Sequence, residues 1–150
     1  MFDYQKFMKI ALSEAQIAAS KNEVPVGALL VKDNQIIAKA HNSVEASNDA
    51  TNHAELLIIK QASQILGSKN LENTSLYVTL EPCLMCATAI SYARISKIIF
   101  GAEDKKLGAI ENGDRIFYNS KNNLWKPEII GSIMAEESEI LLKNFFKNLR

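Results

Sequence analysis

Short apolar runs alternate with helical stripes along this chain, and that alternation limits the fold more than any other feature. VGALLV (26–31), QIIAKA (35–40), SLYVTL (75–80), KIIFGA (97–102) and EIIGSIM (128–134) are of strand length and rich in aliphatic residues. Between and around them lie helical patterns. After Asp3, a suitable cap, Phe7, Met8, Ala11, Ala15 and Ala18 form one apolar stripe. A second helix is predicted over 53–66 and ends at Gly67. A third covers CLMCATAISYA (83–93), after Pro82 closes the preceding strand. A fourth is predicted over 135–147, with Ile140, Leu141, Phe145 and Leu149 facing inward. Asp33 and Asn34 suit a two-residue turn, which makes the first two strands antiparallel and leaves parallel pairing for the later ones. The pattern predicts an α/β layered domain. At 150 residues the chain suits a single domain, 1–150, that needs no disulfide staples.

The 17 Lys and Arg residues balance 17 Asp and Glu, so a strongly basic nucleic-acid scaffold is not expected, although a local basic patch is compatible with zero net charge. MFDYQKF does not read as a secretion signal, and no run of about 18 apolar residues is present, so the expectation is a cytoplasmic protein without a membrane span. In that compartment thiols stay reduced.

This bears on the only two cysteines, Cys83 and Cys86, in EPCLMC (81–86). Alone, such a pair is compatible with a disulfide, a redox dithiol, part of a metal site or two small buried residues. The predicted helix starts at His53 and Cys83 add information. A helix N-terminus favours the thiolate of Cys83, and Cys86, three residues on, shares its face. With His53 these make three zinc-type ligands, and three protein ligands leave a fourth tetrahedral position open, the pattern of a catalytic rather than a structural zinc. Two thiolates and a neutral imidazole cancel the charge of Zn²⁺, so a nearby carboxylate able to take a proton gains importance. Glu55 is the candidate, although two residues from His53 it would not share a face of an ideal helix. Other polar residues have plainer readings. His41 is expected to be structural and Glu81 a hydrogen-bond acceptor near the site.

His53-Ala54-Glu55 followed by Pro82-Cys83-Leu84-Met85-Cys86 matches a known signature of zinc deaminases, H-x-E…P-C-x-x-C. Within them the chain resembles the bacterial tRNA-specific adenosine deaminases, through EVPVGALLV (23–31), HN (41–42), NHAE (52–55), LYVTLEPCLMC (76–86), RISKIIFGAEDKKLGA (94–109) and FFKNLR (145–150). The resemblance implies a cytidine-deaminase-like α/β fold, a three-layer α/β/α arrangement with a mixed five-stranded sheet, as well as a homodimer and one Zn²⁺ per subunit held by His53, Cys83 and Cys86. Water activated there would attack C6 of adenine while Glu55 handles the protons, converting adenosine to inosine at the wobble position of a tRNA anticodon. Asn42 would hydrogen-bond the base, with Val26, Ala54 and Leu80 as pocket neighbours and Asp104 beside the RNA backbone. Lys105, Lys106, Phe145, Lys147 and Arg150 would supply further RNA contacts, while Arg94 is as readily an ion-pair partner as an RNA contact. The chain departs from the family form at Asn52 and through the segment after Gly108, AIENGDRIFYNSKNNLW, whose role the resemblance leaves open.

Two rival functions stand beside this one. The same scaffold could deaminate a free base or nucleoside such as guanine or cytosine. The three ligands, completed by His41, Glu55 or Asp104, could instead form a structural zinc site in a non-catalytic interaction module.

Overall fold

The computed structural model describes residues 3–119 and 121–149. Asp3 caps α1 (Tyr4–Ser20), its carboxylate accepting from the Lys6 N–H at 3.0 Å. All five residues of the predicted stripe are buried. β1 (Gly27–Lys32) and β2 (Gln35–His41) then form a hairpin. Asp33 and Asn34 both take left-handed backbone angles, φ 50° and 63°, which match the twist of the strands they join. Next come α2 (Val44–Ser47) and α3 (Ala54–Leu66), which stops at Gly67 in the left-handed conformation. β3 (Ser75–Leu80), α4 (Leu84–Tyr92), β4 (Lys97–Ala102), β5 (Glu128–Ile130) and α5 (Ala135–Asn148) complete the order.

The sheet runs β2-β1-β3-β4-β5. β1 is antiparallel to both neighbours, while β3–β4 and β4–β5 are parallel. Strand side chains alternate between two cores, as a period of two requires. Leu30, Leu76, Val78, Ile98 and Phe100 pack with Ile58 and Ala62 of α3 and Ala87 and Ile90 of α4. Leu29, Val31, Tyr77 and Ile99 face the other way, against Phe7, Met8, Ala11 and Leu12 of α1 and part of Leu141 of α5. Helices on both faces give the expected three-layer, mixed five-stranded arrangement. Among the described residues, no helix is long and apolar enough to cross a membrane.

Three expectations need correction. The fifth strand stops at Ile130 rather than Met134. Ser132 and Met134 sit at positive φ, 62° and 56°, and a Cβ on Gly131 would come 2.6 Å from the Phe100 ring, so the chain leaves the sheet there. NSVEASNDATN (42–52), whose polar and small residues read as a loop, is not all loop, because the Glu23 carboxylate accepts from the N–H groups of Glu45 and Ala46 at 3.0 and 2.8 Å and holds the short α2. Finally, α5 buries only part of the stripe assigned to it, with Leu141 packed against the α1 core. Ile140 and Leu149 are 50% and 62% exposed, and Phe145 is half-buried. The helix also docks through a polar residue: buried Ser138 donates its Oγ hydrogen to the Thr79 carbonyl at 2.6 Å.

Candidate metal centre and base pocket

Two helix starts converge at one end of the sheet. His53 and Cys83 are not first helical residues, as the sequence suggested, but the caps before α3 and α4. Both have extended backbone, φ −74° and ψ 149° for His53, φ −73° and ψ 174° for Cys83. An extended cap frees a side chain from the helical register. His53 and Glu55 can therefore serve one site although an ideal helix would set them on different faces.

The Nδ1 atom of His53 lies 3.7 Å from Cys83 Sγ and 3.5 Å from Cys86 Sγ. Among the described residues these three form the one group whose ligand atoms, all within 4.8 Å of one another, could hold a metal ion. Tetrahedral zinc, with Zn–S of about 2.3 Å and Zn–N of about 2.0 Å, sets nitrogen and sulfur about 3.5 Å apart. The donor set and its spacing therefore fit zinc. The thiols behave as a pair. The hydrogen bond from Cys86 holds the Cys83 thiol down at about 4, with the bond to His53 also lowering it. The same Cys83 contact, together with burial, pushes Cys86 up. The bond to Cys83 raises His53 in turn.

Glu55 is 3% exposed, and its Oε1 has no hydrogen-bond partner among the described residues. Burial pushes its carboxyl up to about 7. The charges of His53 and Cys83 and a hydrogen bond with Cys86 also act on it, which puts the carboxyl beside the cluster. A buried, unpartnered carboxylate oxygen is costly unless something outside the chain satisfies it.

The expected pocket residues are linked by hydrogen bonds. The buried Asn42 accepts from the Ala54 N–H through Oδ1 at 2.9 Å, and its own N–H donates to the Val26 carbonyl at 3.1 Å. Asn42 thus serves as an acceptor at the start of α3. Leu80 ends β3 opposite Ala102, just before the turn to Cys83. His41 meets Glu14 at 3.3 Å, a structural pairing as expected. Arg94 lies 3.8 Å from Glu72 and stacks over the Trp125 ring.

The residues assigned to RNA contacts are spread more widely. Asp104 Oδ1 accepts from the N–H groups of Lys106 and Leu107, both at 3.0 Å, so part of its carboxylate organises its own turn. Lys105, Lys106 and Lys147 are exposed. Phe145 packs edge-on against Phe146. Arg150 lies outside the described residues. Sequence reasoning missed Glu23 and Asn112, and it undercounted Glu81. The carboxylate of Glu81 accepts from the backbone N–H of Asp104, Ile110, Glu111 and Asn112 and from the Asn112 side chain. The one available signal was an acidic residue beside a proline–cysteine turn, which names an acceptor but not its donors.

Comparison with known proteins matches this geometry. Residues 2–150 match the MafB19-like deaminase family. The chain is 50% identical over 145 residues to the tRNA-specific adenosine deaminase of Rickettsia bellii, covering 95% of this chain and 99% of that protein. It is also 50% identical over 145 residues to the tRNA-specific adenosine deaminase of Aquifex aeolicus, with 96% and 94% covered. A solved structure from studies of A-to-I editing by tRNA:A34 deaminases at the wobble position of transfer RNA shares the fold. Its TM-score is 0.88 at 44% identity, covering 91% of this chain and 99% of that one. From its helix-cap ligands to its full-length likeness to these enzymes, this chain belongs to the family of tRNA-specific adenosine deaminases.

Proposed function

We propose that this protein hydrolyses adenosine to inosine at the wobble position of a tRNA anticodon, releasing ammonia. The observation that carries the chemistry is the unpartnered Oε1 of buried Glu55 beside a three-ligand cluster. A structural zinc module would close with a fourth protein ligand, and its buried groups would be satisfied. The tRNA substrate is supported by relatives named tRNA-specific adenosine deaminases.

In this reading His53, Cys83 and Cys86 hold one Zn²⁺. When bound, zinc supplies the Lewis acidity that makes water a nucleophile near neutral pH. Glu55 takes the proton that the attacking water loses, passes it to N1 of adenine, and then assists the C6 amine to leave as ammonia. Water adds one oxygen at C6 and the amine departs, so adenosine and water balance inosine and ammonia. Asn42, its Oδ1 committed to the Ala54 N–H, donates from Nδ2 to the base. Val26, Ala54 and Leu80 line the pocket into which the base leaves its stack. Asp104, Lys105, Lys106, Phe145, Lys147 and Arg150 meet the RNA around it. The protein acts in the cytoplasm as a homodimer, a state that light scattering on the purified protein checks.

The test incubates purified, zinc-loaded protein with a transcribed anticodon stem-loop bearing adenosine at the wobble position, and with free guanine, cytosine and cytidine. Inosine in the stem-loop is the expected product. Ammonia from the free compounds, with none from the RNA, would overturn the tRNA reading.

A further inference from the structure

Glu81 holds five donors on one buried carboxylate. Oε1 accepts from Asp104 N–H at 3.0 Å and Asn112 Nδ2 at 2.6 Å. Oε2 accepts from Ile110, Glu111 and Asn112 N–H at 3.0, 2.9 and 3.1 Å. No ion pair with Lys or Arg offsets its charge among the described residues. The carboxylate fills the inside of the 104–112 loop so closely that a Cβ on Gly108 would come 2.5 Å from its carbon and oxygen.

That loop is also stitched to the metal-binding turn. Gly108 forms a backbone bridge to Cys83, and Ala109 N–H donates to the Pro82 carbonyl at 3.0 Å. Its outer side is different in kind. Lys105 and Lys106 are exposed, and Leu107 is 71% exposed. A loop needing only an anchor could use an apolar side chain at lower desolvation cost. A carboxylate that gathers five N–H groups instead fixes where each donor lies, and it does so two residues from Cys83.

We infer that Glu81 is a positioning residue for the RNA substrate, setting Asp104, Lys105 and Lys106 at a fixed place relative to Cys83 through the 104–112 loop. The inference rests on the tRNA reading above. Glu81 touches neither base nor metal; it acts through the loop that meets the strand beside the edited nucleotide.

Two variants test it in zinc-loaded protein. In Glu81→Gln the single amide oxygen can still serve Ile110, Glu111 and Asn112. The new NH₂ group then faces two donors, Asp104 N–H and Asn112 Nδ2, and releases the Asp104 end. Asn112→Ala removes only a side-chain donor to Glu81 and to Glu103. For the stem-loop, KM is expected to rise about tenfold in Glu81→Gln and about threefold in Asn112→Ala, with kcat within about twofold of wild type. Zinc content stays at one per chain in both variants. Unchanged KM in zinc-replete variants, or a fall in kcat alone, makes Glu81 a scaffold residue and overturns the inference. If Glu81→Gln loses zinc or does not fold, the KM of Asn112→Ala decides by the same criterion. A wild-type protein that forms no inosine in the stem-loop refutes the tRNA reading and this inference together, whereas an active wild type with indifferent variants refutes this inference alone.

Discussion

Glu55 and Glu81 are both carboxylates less than 4% exposed, both beside the cysteine pair, and their surroundings are opposite. Glu81 has five donors for the roughly four lone pairs it can offer, while Glu55 keeps an oxygen with no partner among the described residues. A satisfied buried carboxylate stabilises a fold, and an unsatisfied one costs stability until a ligand or substrate arrives. The pair shows how one small region divides its acids between holding shape and waiting for a reactant.

The comparison can be broken most severely by stripping the metal. Chelation should abolish inosine formation entirely and, for zinc at 100-fold above its Kd, remove about 2.7 kcal/mol of stability, or roughly 5–10 °C in Tm. Differential scanning calorimetry with and without chelator checks this. Next comes Glu55→Gln, expected to lower kcat about a thousandfold while zinc content is kept. Its urea midpoint should equal or exceed that of wild type, because an unpaired buried oxygen carries no native hydrogen bond to lose. Glu81→Ala should do the reverse to stability. It leaves five donors without their acceptor and costs about 3 kcal/mol by urea unfolding. If the two substitutions shift the urea midpoint equally, the division of labour between the acids is wrong. The smallest effect is that of Asn42→Ala, which removes the acceptor for Ala54 N–H and should cost about 1 kcal/mol, with a raised KM.

Much of this was legible before any coordinates. Strand-length aliphatic runs and the Asp33 and Asn34 turn were enough to place the sheet, since period and turn chemistry are local properties. Three ligands and a carboxylate were visible in H-x-E and C-x-x-C for the same reason. Whether Glu55 could reach the cluster was not, because the answer lies in the extended backbone of His53 at the helix cap. The premature end of β5 lies in the left-handed backbone of Ser132 and Met134, where Gly131 packs close to Phe100, 31 residues earlier, and no local pattern in EIIGSIM records it. The inward face assigned to α5 held at Leu141 but missed Ser138, which lies three residues earlier on the same face and escapes hydrophobic periodicity because it is polar. Glu23 and Glu81 escaped for a related reason: their donors lie 22 to 31 residues away.

The far end of the segment that Glu81 gathers is pinned by Trp125. Its indole N–H donates to the Ile95 carbonyl at 3.1 Å, its carbonyl accepts from Ser91 Oγ, and the Arg94 guanidinium lies over its ring. It is the chain's single tryptophan. Intrinsic fluorescence from this protein is therefore a local signal, reporting whether this segment is docked at the end of α4. A shift in emission as RNA is added, or on loosening the loop at Glu81, would be readable without any attached dye.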